Sequence, residues 1–226
     1  MKNLYLLLFS ISLIMLTSCT PSAQKDAEEA YRGSPEQLDA KNIVEMEKLT
    51  NPDAMTKFDQ TADPKSGDEI AVITTNKGVV KIRLFPEYTP KTVANFKKLA
   101  DEKFYNGLIF HRVIESFMIQ GGDPKGDGTG GPGYTVPAEL NANLVHHPGA
   151  LATARLGDQV NPEKASSGSQ FYIVHGDARF LDRAYTVFGQ VFEGMDIVDT
   201  IATVETDRGD MPLEDIVMEK VEIEKY

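Results

Sequence analysis

A chain of 226 residues with 41% hydrophobic content can bury one good core, and its length alone admits one or two domains. Its 34 acidic against 23 basic residues give a net charge of −11, which opposes binding to nucleic acid and to anionic lipid headgroups. The one cysteine, Cys19, excludes an internal disulfide.

At the N-terminus Lys2 precedes an apolar stretch over residues 4–16. That is too short to span a bilayer comfortably and right for the hydrophobic part of a secretory signal, so export is expected. The stretch ends in Leu16-Thr17-Ser18-Cys19, which resembles the lipobox of bacterial lipoproteins, where the signal is cut before the cysteine and the thiol is lipidated. On that resemblance residues 1–18 are a signal peptide and Cys19 carries the acyl chains of a stable membrane anchor. The chain would then lie in the cell envelope, facing the periplasm or the exterior, and Thr20 in place of an aspartate favours the outer membrane. An ordinary signal peptide with an incidental cysteine, or an uncleaved anchor, are the competing readings.

Residues 19–67 are polar and acidic, with Pro21, Pro35, Pro52 and Pro64 spaced along them and no strand-like alternation, which reads as a tether. Leu38, Ile43, Met46 and Leu49 fall on one side of a short helix within it. A folded domain is expected from residue 68 to 226. It opens with β-rich runs at 69–75 and 78–84, joined at Asn76-Lys77 as a hairpin. Thr89 then supplies an N-cap and Pro90 a first-turn proline, ahead of Val93, Phe96 and Leu99 at helical spacing. Further strands are expected at 108–113, 117–120, 150–154, 170–174, 187–191 and 216–224, with a second helix at 194–202.

Two of these runs carry chemistry. FHRVIESFMIQGGD, from Phe110 to Asp123, delivers an arginine, a Phe-Met pair and a glutamine at strand spacing and then breaks on two glycines. With a period of two, alternate side chains share one sheet face, which makes an apolar surface with a guanidinium at its edge. SGSQFYIV, from Ser167 to Val174, repeats the recipe, so the two strands together suggest one site.

These runs, with VVKIRLFPEYTPKTVANFKKLA, YNGLIFHRVI, GTGGPGY and FLDRAYTVFGQV, resemble the signature segments of the cyclophilin-type peptidyl-prolyl cis-trans isomerases from about Glu69 to Tyr226. The resemblance implies a mainly β fold, a closed eight-stranded antiparallel barrel capped by two helices, without cofactor or metal and usually monomeric. The implied substrates are proline-containing peptides and folding proteins. By the same resemblance Arg112, Gln120 and Phe117 are catalytic, and the proline ring rests against Phe117, Met118, Tyr172 and Leu181 with Phe180 at the rim. Gln120 would help position Arg112 and the substrate carbonyl, Gln170 would hold the peptide backbone, Ala154 and Arg155 would line the groove, and His111 and Tyr185 would stand beside the site.

The chemistry fits these residue types. Rotation about an Xaa-Pro bond meets a barrier of about 18 to 20 kcal/mol. Reaching about 10³ turnovers per second means lowering it by roughly 5 to 6 kcal/mol. No bond breaks, so no nucleophile is needed. An apolar pocket disfavours the charge-separated planar amide, and an always-protonated arginine can donate to the prolyl nitrogen as conjugation is lost. A non-catalytic proline-binding module or holdase would need the same pocket.

Other patterns are decoys. Gly126 to Gly131 satisfies a dinucleotide-binding glycine spacing, but Pro132 and Gly133 follow where a helix is required. Asp123 and Asp127 imitate part of a calcium loop, with Lys125 at a ligand position. His146 and His147 are adjacent, so on a strand they point apart. Phe180 replaces a tryptophan that in many eukaryotic relatives donates a hydrogen bond to cyclosporin, which implies weak cyclosporin binding. Tyr185 and Arg155 replace a histidine and an asparagine common in those relatives, changes that bear on drug binding and sequence preference more than on catalysis. The loop over residues 156–166 is longer than in the shorter members; selecting substrates and being a tolerated insertion are equally open to it.

Overall fold

The computed structural model describes residues 58–226. The signal, Cys19 and the tether helix over residues 38–49 lie outside them. Eight strands run in chain order: β1 (Glu69–Thr75), β2 (Gly78–Leu84), β3 (Arg112–Ile114), β4 (Met118–Gly121), β5 (Ala150–Thr153), β6 (Phe171–Val174), β7 (Val187–Glu193) and β8 (Met218–Lys225). Two helices, α1 (Pro90–Asp101) and α2 (Met195–Ala202), complete the set.

All strand pairs are antiparallel, in the order β3-β4-β6-β5-β7-β2-β1-β8. The curl is strong enough for α2 to touch β2 as well as β3 and β4, although these stand far apart in the ladder. Closure is looser than the barrel expected from sequence: the sheet is open and strongly curled, and β3 and β8 share no ladder. Their seam is spanned just upstream of both strands, by the bridge Ile109↔Val217 and by main-chain bonds such as Phe110 N–H to Ile216 O at 2.9 Å. Within residues 108–111, expected in a strand, Leu108 C=O and Phe110 N–H bond across this seam to Met218 N–H and Ile216 C=O, and β3 is only three residues long.

Alternation divides the apolar side chains into two clusters. Ile73, Ile82, Ile119, Leu151 and Ile173 point inward with Phe96 and Leu99 of α1 and Val198 and Ile201 of α2. Phe96 lies 5.1 Å from Tyr105, 5.4 Å from Phe188 and 5.7 Å from Phe171, ring centre to ring centre. Each such buried aromatic or aliphatic side chain contributes about 1.5 to 3 kcal/mol of burial. The second cluster, on the other face, holds Met118, Tyr172, Ala152, Val174 and Phe85.

The expected hairpin forms, with Thr75 opposite Gly78 and Asn76-Lys77 between them. The expected cap differs. Thr89 occupies the N-cap position of α1, but its hydroxyl donates backward to Phe85 O at 3.1 Å. The free N–H groups of the first turn go instead to a distant carboxylate: Glu139 accepts from Lys91 N at 3.1 Å and from Thr92 N at 2.8 Å. The chain is also packed upstream of residue 68. Phe58 sits edge-on to Phe85 at 5.3 Å, and the buried Gln60 clasps Val145, accepting from its N–H and donating to its C=O, both at 2.8 Å.

Candidate active site

Sheet register assembles the site. Arg112 on β3 stands opposite Gln120 on β4, Gln120 opposite Tyr172 on β6, and Tyr172 opposite Ala152 on β5. Directly paired residues share a face, so the four form one row, and two positions along it Ile114, Met118 and Val174 form the next. The period of two read from the sequence therefore places Arg112, Gln120, Met118 and Tyr172 together. Gly122, at φ +84, turns the chain after β4; a Cβ there would lie 2.4 Å from Ser169 O, so only glycine lets β4 end against the start of β6.

Arg112 is the polar end of the row. Its Nε donates to Asp210 Oδ2 at 3.3 Å, both side chains being a little over two-fifths exposed. No other side-chain nitrogen of Arg112 has a partner among the described residues. Gln120 donates from Nε2 to Gln170 Oε1 at 3.0 Å. Gln170, buried, spends its own amide nitrogen on Gly128 O at 3.0 Å and Gly130 O at 2.8 Å. It thus ties the glycine-rich loop to the row and leaves Gln120 Oε1 as the open acceptor.

The apolar wall consists of Met118 and Tyr172, both buried, with Phe117, Leu181 and Tyr185 half-covered around them. A short 3-10 turn over Arg179–Leu181 brings Phe180 to the rim, where its ring stacks on Phe117 at 5.6 Å while three-quarters of the residue stays exposed. Ala154 uses both main-chain groups inside the fold, on Gln170 O and Ser167 N. The next residue differs: no main-chain bond from Arg155 is formed among the described residues, while its guanidinium is buried, 4.3 Å over the Tyr185 ring and bonded to Ala184 O at 2.9 Å and Asp158 at 2.7 Å.

His111 lies beneath the glycine-rich loop, buried, and neither ring nitrogen has a hydrogen-bond partner among the described residues. Burial holds its pKa below the ordinary value, against the pull of Asp123 and Asp127. Asp123, the decoy ligand of the sequence, shapes that loop by accepting from Lys125 N at 2.7 Å and Gly128 N at 2.6 Å. Among the described residues no group of three His, Cys, Asp or Glu side chains is placed to hold a metal ion.

Two participants had no role assigned from the sequence. Asp210 reaches Arg112 from a turn near the end of the chain, and Asp182 holds His146 beneath Tyr172. Asp182 lies within the run FLDRAYTVFGQV, but nothing local pairs it with His146; Asp210 belongs to no such run, and only the fold brings the two into place.

A curled antiparallel sheet with this arginine-glutamine-aromatic row defines a class, and the comparisons name it. The family model described as cyclophilin type peptidyl-prolyl cis-trans isomerase/CLD matches residues 70–223. The chain is 42% identical over 173 residues to the peptidyl-prolyl cis-trans isomerase B of Streptomyces anulatus, covering 68% of this chain and 95% of that one. To the enzyme of the same name from Bacillus subtilis it is 48% identical over 124 residues, covering 54% and 82%. A crystal structure of a Cryptosporidium parvum cyclophilin type isomerase in the presence of the dipeptide Ala-Pro superposes with a TM-score of 0.64 at 31% identity, covering 70% of this chain and 99% of that one. The chain belongs to the cyclophilin-type peptidyl-prolyl cis-trans isomerase family.

Proposed function

We propose that the chain applies its family's isomerase activity to Xaa-Pro bonds of exported proteins as they fold. Arg112 donates a hydrogen bond to the prolyl nitrogen as the amide twists, and the wall of Phe117, Met118, Tyr172 and Leu181 receives the ring. Gln120 offers its carbonyl oxygen to the site, and Arg155 offers its unused main-chain groups to the residue before proline. The observation that carries this reading is the register row, which sets a guanidinium with free terminal amino groups at the end of an apolar wall. A hydrogen bond from a charged donor contributes about 1.5 to 3 kcal/mol. Made only in the twisted state, it acts entirely on the barrier, and transfer into the apolar wall supplies the remainder. The Ala-Pro dipeptide in the crystal of the Cryptosporidium relative supports a short proline-containing ligand.

The chain works as a monomer held in the cell envelope by lipid at Cys19. This part rests on the lipobox-like run and the apolar stretch before it. Mass spectrometry of the protein from membranes, showing an acylated Cys19 as the first residue, would support it; an unmodified, soluble chain would not.

The isomerase mechanism is tested by cis-trans exchange of a short Xaa-Pro peptide, followed by NMR, with the full-length chain and its Arg112→Ala variant. Rapid exchange should fall at least tenfold in the variant. Undiminished exchange would remove Arg112 from the mechanism, and peptide binding without faster exchange would point to a docking module.

A further inference from the structure

We infer that Asp182, acting through His146, is a positioning residue for the pocket: it keeps the Tyr172 hydroxyl proton turned away from the proline ring. The inference rests on the isomerase reading above. His146 has no exposed surface, and three groups define its state. Asp182 Oδ1 lies 3.0 Å from His146 Nδ1 and also accepts the His146 main-chain N–H at 2.8 Å. Tyr172 OH lies 3.0 Å from Nε2. Arg179 Nε pairs with the other oxygen of Asp182.

The proton positions follow from the chemistry of the partners. An ionised carboxylate can only accept, so Nδ1 carries the imidazole proton. Burial keeps the ring neutral, against the raising effect of Asp182, and the Asp182 carboxyl stays ionised because its bonds to Arg179 and His146 outweigh its own burial. Nε2 is then bare and must accept, so the Tyr172 hydroxyl donates to it. The hydroxyl proton points inward, and the wall presents ring carbon to the substrate, as a phenylalanine would. The other groups around the imidazole are the Tyr185 ring, edge-on at 6.5 Å, and beyond it the Arg155 guanidinium.

The same carboxylate governs the rim. Asp182 follows directly on the turn that carries Phe180 and Leu181, and Ala178 N–H before that turn bonds to His146 O at 3.1 Å. Wall and rim are thus referenced to one imidazole. A His-Asp pair serving stability alone would leave substrate affinity unmoved by changes in it.

Two measurements on the full-length chain decide the matter. Imidazole ¹⁵N NMR of the wild type should show the His146 proton on Nδ1; a proton on Nε2 would overturn the inference without any variant. In the peptide exchange assay Asp182→Ala should raise KM about fivefold, the scale of one neutral hydrogen bond, with kcat nearly unchanged because Arg112 is untouched. Asp182→Asn, whose Oδ1 can still accept both bonds from His146, should restore KM to within about twofold of wild type. An unchanged KM in Asp182→Ala, or an Asn variant as impaired as the Ala one, would overturn the inference while leaving the isomerase reading intact. A wild-type chain that does not accelerate exchange would overturn both.

Discussion

Arg112 enters the site with one nitrogen already engaged. Asp210 takes its Nε and is itself fixed, with its C=O accepting Val113 N–H at 2.8 Å and its backbone at φ +67. That leaves the two terminal amino groups to be aimed. An exposed ion pair of this kind contributes about 0.2 to 1 kcal/mol. Asp210→Asn keeps a residue that tolerates the left-handed backbone while removing the charge, so kcat should fall about threefold with KM unchanged. Steady-state peptide kinetics at low salt check this, and a kcat equal to wild type would leave Asp210 without a role. Phe180 gives a second test at this scale: it is exposed, stacked on Phe117 and without a hydrogen-bond donor, so cyclosporin should bind weakly. Nanomolar affinity would refute that. The residues legible in the sequence, Arg112, Gln120 and Tyr172, share a row because strand geometry is local and periodic. Asp210 was not legible because 98 positions separate it from Arg112.

At the scale of the element, α1 shows how a correct boundary can hide a different cause. Thr89 and Pro90 marked its start, and the helix begins there, but the cap is Glu139. A negative carboxylate suits that end twice over, satisfying free N–H groups and opposing the positive end of the helix dipole. Glu139→Ala should therefore destabilise the fold by about 1 kcal/mol, read as a lower urea midpoint. Thr89→Ala should leave the first-turn N–H groups served. A larger loss at Thr89 than at Glu139 would reverse the assignment. The hairpin and the inner strands were legible because turn residues and alternation are written in the chain. The short β3 and the open seam were not, since residues 108–111 look like strand but Leu108 and Phe110 bond across the curl.

For the whole molecule, two buried imidazoles set the response to acid. His111 and His146 are both held below the ordinary value of 6.5 by burial. The unfolded chain takes up a proton on each near that pH while the folded chain does not, so stability is full above about pH 6.5 and declines as pH falls below it. Asp123 and Asp182 lie below their ordinary 3.8, so a further loss follows at still lower pH as they are protonated. The urea midpoint should accordingly be lower at about pH 5.5 than at about pH 7.5, and His111→Phe should shrink the difference. Equal midpoints for the wild type would contradict this. The clasp of Gln60 on Val145 also extends the fold upstream of Asp68, and it reaches the pocket wall because Val145 adjoins His146. A fragment cut at Asp68, the boundary that composition suggests, would leave a hole where Phe58 met Phe85 and two orphaned main-chain groups at Val145. The choice of first residue would then weaken the catalyst from behind, with every residue of its active face still in place.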